Sequence, residues 1–266
     1  MSDTVTHQGT SGRPAESLRF DSIHPSHPNP DSTHRMRAQV ADLIVKAGHR
    51  RVLDLPAGSG ELSYLLLQKG LDVTAADLEP ETFIVPGRTC VKADMNSRLP
   101  FPDAQFDAIG CIEGIEHIEN PHLFVREANR LLRPGGMLYI TTPNVLSIRS
   151  RLGYLLRGYP NQFHYMIELD PKTDEEIPIA HINPIGFLEL RYVLARWGFR
   201  ITAVETNQYI RRNGMLYRLL RLLMQSRGKR AAASHPKVAD IRNVMLSDAV
   251  LFGDSLIVTA TKIRKE

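Results

Sequence analysis

The feature that most constrains this chain is a glycine-rich turn between an apolar strand and a helix. Residues 51–55 are predicted to form a short buried strand, Pro56–Gly60 forms the turn, and leucines at helical spacing follow as far as Gly70. Gly58 and Gly60 permit positive φ angles and a close approach of the backbone to a ligand. The helix after the turn presents unpaired N–H groups to that ligand. This arrangement predicts an α/β domain that binds a ligand at the turn.

Strands and helices alternate along most of the chain at the spacing typical of a parallel sheet. Six further strands are predicted, at 71–76, 89–93, 106–111, 136–142, 199–204 and 255–261. Helices are predicted at 36–48, after the turn, at 122–132 and at 184–197. We therefore predict a Rossmann-like α/β fold with a mostly parallel seven-stranded sheet and helices on both faces. Its ligand is expected at the carboxyl ends of the strands, which carry Asp54, Asp77, Asp94 and the segment Glu113–His117.

The composition is that of a globular chain from a reducing compartment. Of its 266 residues 42% are hydrophobic and 23% are charged, which excludes a coiled coil, a collagen and a wholly disordered chain. Its two cysteines, Cys90 and Cys111, form neither a disulfide framework nor a metal-binding pattern. The polar N-terminus lacks a signal-peptide core, and no apolar run reaches the ~18–20 residues of a membrane span. A cytoplasmic location is expected.

Shifts in composition predict the domain organisation. Residues 1–34 are rich in Ser, Thr, Pro and His and are predicted to form a flexible arm, because such a composition cannot bury a core. Solvation explains the histidines of this arm better than metal binding does, since they lack regular spacing. Residues 35–266 are predicted to form a single domain with a basic amphipathic insertion at about 206–250.

Positive charge is concentrated in that insertion. Eight Lys and Arg residues and no acid lie between Thr206 and Ala239, although the whole chain has a net charge of only +4. Within Arg211–Arg230 the arginines are predicted to share one helical face with leucines opposite, and Arg149–Arg157 is similar. Such a helix can lie in a membrane interface and attract anionic lipid. The alternative is a helix that packs on its own domain and leaves its arginines in solvent. Specific nucleic-acid binding is not expected.

The turn also resembles a known motif. Asp54-Leu55-Pro56-Ala57-Gly58-Ser59-Gly60 is similar to the D/E-x-G-x-G-x-G motif of class I S-adenosylmethionine-dependent methyltransferases, with Pro56 in place of the first glycine. It differs from the G-x-G-x-x-G motif of nicotinamide-dependent oxidoreductases, a function that is therefore not expected. The resemblance continues, in the order of the family, through Ala93–Met95, Leu99–Asp107, Glu116–Pro121 and Leu131–Gly136. The chain resembles the methyltransferase-11, ubiquinone-type core, and in particular members associated with surface glycans.

The resemblance implies S-adenosylmethionine as the cofactor, S-adenosylhomocysteine as its product, and a set of binding residues. Asp77 is expected to bind the ribose and Asp94 the adenine amino group, with Leu78 and Met95 placed against the adenine. The other expected cofactor-binding residues are Asp54, Ala57, Gly58, Ser59, Gly60 and Glu113. The candidate catalytic residues are His117, Glu116 and His181, with His164 as a further candidate, and no metal site is expected.

The expected reaction is transfer of the sulfonium methyl group to a small-molecule, glycan or lipid-linked acceptor, with oxygen as the favoured atom. Thr142–Asn144, the Arg- and Leu-rich segment after it and His181–Pro184 are similar to methyltransferases of surface-polysaccharide and lipid-linked glycan synthesis. An O-methyltransferase of quinones or other soluble small molecules has the same core motifs, and a catalytically silent cofactor-binding subunit is a second alternative. The basic helix would hold such a cytoplasmic enzyme at the inner face of the membrane.

Overall fold

The fold is taken from a computed structural model of the chain. The structure describes residues 30–163, 167, 169–170, 172–176, 181–210, 212–226 and 235–263. Several features that were predicted from the sequence lie outside these ranges. They are most of the N-terminal arm, the candidate His164, and Arg211 and residues 227–234 of the basic segment.

A seven-stranded sheet forms the centre of the molecule, as predicted. Its strands stand in the order β3-β2-β1-β4-β5-β7-β6. The β7 strand runs opposite to the other six. Because β5 and β6 both pair antiparallel with β7, they point in the same direction as β1, β2, β3 and β4. The strands are β1 (Arg51–Asp54), β2 (Asp72–Asp77), β3 (Cys90–Lys92), β4 (Phe106–Cys111), β5 (Leu132–Pro143), β6 (Phe199–Thr206) and β7 (Ser255–Lys262).

Helices cover both faces of the sheet, and the alternation of side chains along β1 shows how. Val52 packs in one cluster with Met36, Val40 and Leu62, whereas Leu53 packs on the opposite face. The second face is covered by helices near the middle of the chain and carries the larger cluster. The helices are α1 (Pro30–Lys46), α2 (Glu61–Gln68), α3 (Pro121–Leu131), α4 (Ile148–Arg157), α5 (Phe187–Arg196), α6 (Met215–Ser226), α7 (Pro236–Met245) and α8 (Asp248–Phe252).

The first helix begins earlier than composition suggests. A flexible arm was expected to extend to residue 34, but α1 starts at Pro30, and Ser32 and Thr33 are buried. Ser32 Oγ accepts hydrogen bonds from Asn207 Nδ2 at 2.7 Å and from Gln208 Nε2 at 3.0 Å. The boundary at residue 34 is therefore too late, because polar side chains that look solvated in the sequence find partners in the loop after β6.

The basic insertion between β6 and β7 contains α6, α7 and α8. In α6 the apolar and basic residues are not separated onto opposite faces as predicted. Tyr217, Leu220 and Met224 form the face of α6 that packs in a cluster with α8. Leu216 and Leu219 are exposed, as is Arg218 between them. The prediction that the leucines lie opposite the arginines is wrong for these residues, since leucines occupy both faces of α6.

Asn144, directly after β5, fixes the position of α8. Its Nδ2 donates to the carbonyl oxygens of Ala249, Val250 and Gly253 at 3.2, 2.9 and 2.9 Å, and its side chain is buried. In the Asn144→Asp variant a carboxylate oxygen would replace the Nδ2 donor and face three carbonyl oxygens without a hydrogen. We therefore expect the free energy of unfolding to fall by about 3 kcal/mol. Urea denaturation measures this loss. Asn213→Asp, the same change at an exposed position, should leave the midpoint unchanged, and equal midpoints for both variants would contradict the account.

Candidate functional site

The glycine-rich turn leaves open space at Gly58 but not at Gly60. Both residues have positive φ, +52° at Gly58 and +91° at Gly60. A Cβ built on Gly60 would lie 2.4 Å from Phe83 Cε2 and 2.5 Å from Val85 Cγ2, so this glycine is needed for packing. A Cβ built on Gly58 would meet no atom of the described residues within 4 Å. Gly58 is therefore where a ligand can approach the backbone.

Asp77, at the carboxyl end of β2, holds the turn in place. Its Oδ2 accepts a hydrogen bond from the Gly58 N–H at 2.7 Å, and its Oδ1 accepts one from the Glu79 N–H at 3.0 Å. The next side chain, Leu78, is 54% exposed beside this buried acid. A carboxylate and an exposed apolar side chain next to the open face of Gly58 suit a ligand with hydroxyl groups and a flat ring.

Asp54, at the carboxyl end of β1, lies beneath the same turn and is almost fully buried. Its Oδ2 accepts hydrogen bonds from the Ser63 N–H at 2.9 Å and from Ser63 Oγ at 2.7 Å. Burial raises the pKa of Asp54 to about 7, although the bonds from Ser63 and the charge of Arg37 lower it. This carboxyl group therefore titrates near neutral pH, and a cation bound nearby would favour its ionised form.

Pro56, the departure from the family motif, has a structural role of its own. A Cβ built on Gly114 would lie 2.4 Å from Pro56 Cδ, so the proline ring packs directly against the loop after β4. The next N–H group, that of Ala57, donates to the carbonyl of Ala76 at 2.9 Å. The first part of the turn is thus used to join β1 to β2 and β4, and the open backbone begins at Gly58.

The loop after β3 is tied to the loop after β4. Asp94 Oδ1 accepts a hydrogen bond from the Asn96 N–H at 2.8 Å, and its Oδ2 accepts one from Ser97 Oγ at 3.1 Å. Asn96 Oδ1 in turn accepts from the N–H groups of Glu119 and Asn120 at 2.9 and 3.1 Å. Met95 is buried in the core, so Asp94 and Leu78 offer more surface to a ligand than Met95 does.

Glu113, directly after β4, has an unusual backbone conformation. Its φ is +51°, a value that non-glycine residues seldom adopt outside functional sites and turns. Its N–H donates to Thr141 Oγ1 at 2.9 Å, and Thr141 Oγ1 donates to Glu113 Oε1 at 3.1 Å. The loop after β4 is therefore held to the carboxyl end of β5.

The structure brings together the three predicted catalytic residues. Glu116, His117 and His181 offer polar atoms that all lie within 4.8 Å of one another, and the two imidazole centroids are 4.6 Å apart. The carbonyl oxygen of Glu116 accepts from the N–H groups of Ile182 and Asn183, both at 2.9 Å, which holds the two segments together. Burial, followed by the charge of Glu113, raises the pKa of Glu116 well above its usual range. An acid whose pKa is raised by burial thus lies beside a pair of imidazoles.

A carboxylate and two imidazoles are groups that bind divalent metal ions. Sequence spacing indicated no metal site, because His181 is far along the chain from Glu116 and His117, and only the fold makes them neighbours. The cluster could hold a metal ion in addition to, or instead of, acting on protons. The expectation of a site without metal stays a prediction.

Two residues at the turn were missed by sequence reasoning. Arg37 Nη1, on α1, lies 2.8 Å from Oε2 of Glu61, the first residue of α2, and His34 also pairs with this buried carboxylate. Arg37 is close enough to lower the pKa of Asp54. The sequence carried no signal for these contacts, since His34 lies in the segment predicted to be a flexible arm and Arg37 lies in the helix predicted at 36–48.

Comparisons with known proteins find a matching family and several relatives. Residues 53–140 match a protein family described as a methyltransferase domain. The chain is 34% identical over 179 residues to a demethylmenaquinone methyltransferase of Tropheryma whipplei, covering 64% of this chain and 74% of that protein. It is 38% identical over 131 residues to a ubiquinone biosynthesis O-methyltransferase of Xylella fastidiosa, covering 46% of this chain and 51% of that protein. The match thus spans about half the length of the latter relative.

Two solved structures show the same fold. A SAM-dependent methyltransferase from Archaeoglobus fulgidus superposes with a TM-score of 0.55 at 19% sequence identity, covering 85% of this chain and 94% of that chain. A putative methyltransferase from Bacillus halodurans superposes with a TM-score of 0.52 at 17% identity, covering 85% of this chain and 100% of that chain. At such low identity these similarities concern the fold alone.

Proposed function

The chain belongs to the class I S-adenosylmethionine-dependent methyltransferase family, and on this basis we propose that it transfers a methyl group from S-adenosylmethionine to an oxygen atom of its acceptor. The observation that carries the proposal is the open face of Gly58, whose N–H is held by Asp77. An intact turn with room for a ligand favours cofactor binding over a purely structural use of the fold, and the test below decides whether methyl transfer follows.

The residues around the turn fit the parts of this cofactor. Asp77 would accept hydrogen bonds from the ribose hydroxyls, and Leu78, exposed beside it, would pack on the adenine. Asp94 would take the adenine amino group, and Met95 would border the ring. Asp54 and Glu113 would complement the positive charges of the methionine part, while the backbone of Ala57, Ser59 and Gly60 shapes the turn.

The chain's own residues would then activate and align the acceptor. When bound, the cofactor supplies an electrophilic methyl carbon that a nucleophile attacks in line with the carbon–sulfur bond. His117 or His181 would accept the proton of an acceptor hydroxyl, because imidazole is the side chain best suited to proton transfer near neutral pH. Glu116, buried and close to both rings, would help to orient them.

The acceptor is proposed to be a hydroxylated glycan or lipid-linked molecule. The basic segment Arg211–Arg230 supports this choice, because it would hold the enzyme at the inner face of a membrane that contains such acceptors. A quinone precursor is the second candidate, favoured by the names of the relatives from Xylella fastidiosa and Tropheryma whipplei. A cofactor-binding subunit without activity is the third possibility that the test below separates.

Methyl-tritiated S-adenosylmethionine, incubated with the protein and a lysate of its source organism, tests the proposal. Label that enters the glycan fraction, or lipids other than quinones, and that is absent with the Gly58→Arg variant, supports the proposed acceptor class. Label in a quinone isolated from the lipid fraction selects the second candidate. Stabilisation of the protein by S-adenosylhomocysteine without label in any fraction would identify a silent subunit, and stabilisation by neither compound would contradict cofactor binding itself.

The histidine pair gives a separate prediction. In the His117→Asn variant the labelling rate is expected to fall by about a hundredfold or more, because the acceptor proton loses its base. The affinity for S-adenosylhomocysteine should not change, since His117 is not among the proposed cofactor-binding residues. His122→Asn is the matched control, because His122 is exposed and accepts a hydrogen bond from Trp197 Nε1. Equal rates for both variants would remove His117 from the mechanism.

A further inference from the structure

Two helices leave many large apolar side chains in contact with solvent. On α4 and α6 eight such side chains are more than half exposed, which is most of the strongly exposed apolar surface of the described residues. These positions, together called the α4–α6 surface, are Tyr154 (61%), Leu155 (78%), Leu156 (79%), Met215 (87%), Leu216 (56%), Leu219 (55%), Leu222 (63%) and Leu223 (51%). A patch of this kind on a monomer marks an interaction site.

The exposed residues are not the ones that attach the helices to the domain. Ile148 and Leu152 of α4 share a cluster with Tyr217 and Leu220 of α6, above Leu251 and Phe252 of α8. Arg151 Nη1 of α4 also lies 3.9 Å from Met224 Sδ of α6, so the two helices are neighbours. A helix that is only packed on its own domain needs one apolar stripe. Here a second stripe, formed by the α4–α6 surface, faces outward.

The charges beside this second stripe are positive. Neither α4 nor α6 contains an acidic residue, and Arg149, Arg157 and Arg218 are exposed on them. Two arginines have acidic partners within the domain: Arg221 Nη1 lies 2.7 Å from Asp248 Oδ1, and Arg149 Nη1 lies 3.8 Å from Asp254 Oδ1. Apolar side chains that enter the acyl boundary, flanked by arginines that reach phosphate groups, are the composition of an interfacial helix. A partner protein would need acids to match these arginines, whereas an anionic bilayer provides both phosphate and hydrocarbon.

The position of the surface fits a membrane-held acceptor. Helix α4 follows the carboxyl end of β5, and α6 follows the carboxyl end of β6. Because both strands point in the same direction as β1, their carboxyl ends lie at the edge of the sheet that carries the Gly58–Gly60 turn. Contact through the α4–α6 surface would therefore bring the cofactor edge toward the bilayer. No helix among the described residues is long and apolar enough to cross a membrane.

We propose that the α4–α6 surface docks the protein on the interface of an anionic lipid bilayer. The surface extends beyond the basic segment, because α4 supplies three of its most exposed apolar side chains. Lipid binding itself depends only on these two helices. Its purpose, the delivery of a lipid-linked acceptor to the cofactor edge, rests on the proposed function.

Flotation of the full-length protein with vesicles tests the proposal. Vesicles of phosphatidylcholine with phosphatidylglycerol are expected to carry the protein upward, and phosphatidylcholine alone is expected to do so more weakly. The Leu155→Ser/Leu156→Ser and Leu219→Ser/Leu222→Ser variants should each reduce partitioning by about tenfold or more. Arg157→Gln/Arg218→Gln should remove the preference for the anionic lipid and the sensitivity to salt. The matched control is Leu188→Ser/Tyr192→Ser, which removes exposed apolar side chains from α5.

Several outcomes overturn the proposal. One is an absence of flotation, and another is flotation that the α5 control reduces as much as the α4 and α6 variants do. A dimer detected by sedimentation without lipid, and lost in the same variants, would assign the surface to a second copy of the chain. Stabilisation by S-adenosylhomocysteine should persist in every variant, so loss of vesicle binding is distinguished from loss of the fold. If the protein bound vesicles but transferred no methyl group, the result would support the docking surface and contradict the proposed function.

Discussion

Alanine at Gly58 is expected to abolish most cofactor binding while leaving the fold nearly intact. The Cβ would project into the open space next to the backbone, where no atom of the described residues lies within 4 Å, so it would obstruct a ligand bound there without displacing these residues. The positive φ alone should lower the free energy of unfolding by about 1–2 kcal/mol. The affinity for S-adenosylhomocysteine, measured by calorimetry, should fall by about 30-fold or more, which corresponds to roughly 2 kcal/mol of lost contact.

The matched control is Gly135→Ala. Gly135 has a φ of +75° and nothing within 4 Å of an added Cβ among the described residues, but it lies at the amino end of β5. It should show the same backbone penalty without any change in affinity. If Gly135→Ala weakened binding as much as Gly58→Ala, the loss would reflect general destabilisation, and the cofactor would have to be placed elsewhere.

Alanine at Gly60 is expected to act through packing instead. Its Cβ would lie 2.4 Å from Phe83 Cε2 and 2.5 Å from Val85 Cγ2, so the segment after β2 would have to move. We expect a loss of about 3 kcal/mol in the free energy of unfolding, from strained φ together with the overlap. In a Phe83→Ala background the additional loss should be smaller, because the ring that is overlapped is gone. Independent, additive losses in a double-mutant cycle would contradict this contact.

Local sequence signals predicted the sheet because its strands are set by runs of apolar residues. The bounds of β4 were predicted correctly at 106–111, a mostly apolar run that begins directly after the polar Gln105. The bounds of β5 were too short, because Leu132 pairs with Phe106 and this pairing recruits the Pro134–Gly136 segment into the strand. The helix expected from residue 184 begins at Phe187, after Gly186. The error at β5 lies where tertiary pairing, not local propensity, decides the end of a strand.

The contents of the site were less predictable, because they depend on residues that are distant in the sequence. The residue types at the turn indicated a cofactor site, but not that Asp54 is bound by Ser63 or that Arg37 approaches from α1. Nor could spacing show that His181 reaches Glu116 and His117. Whether an apolar side chain of an amphipathic helix faces the core or the solvent likewise depends on its neighbours, as the leucines of α6 show.

Asparagine in place of Asp54 is expected to stabilise the protein without cofactor and to weaken cofactor binding. Burial raises the pKa of Asp54 from 3.8 to about 7. In the folded state the group therefore holds its proton at a pH where the unfolded chain has lost it. By proton linkage, Asp54 makes stability fall as pH rises from about 4 to 7, and the loss is complete above that range. The Asp54→Asn variant has no such loss, and its amide oxygen can still accept hydrogen bonds from Ser63.

The measurement is the difference in unfolding free energy between Asp54→Asn and the unchanged protein as a function of pH. At pH 4 the two should be similar, and by pH 8 the variant should be more stable by about 4 kcal/mol, since each unit of pKa shift corresponds to about 1.4 kcal/mol. Asp107 and Glu127 also make stability depend on pH, because their pKa values are lowered in the folded state. Both residues are present in both proteins, so their contributions to the pH dependence cancel in the difference. A difference that does not change with pH would show that Asp54 has the same pKa in the folded and unfolded chains, and would contradict the raised pKa.

The same group should couple cofactor affinity to pH. The ammonium and sulfonium charges of S-adenosylmethionine would favour ionised Asp54, so its affinity should rise between pH 6 and 8 as the proton is released on binding. In Asp54→Asn the affinity should be lower and independent of pH across this range, although the fold is more stable. Calorimetry in two buffers with different ionisation enthalpies measures the proton directly. A carboxyl group that destabilises the empty fold, yet is required for affinity, would show that its burial beneath the turn serves the cofactor rather than the core.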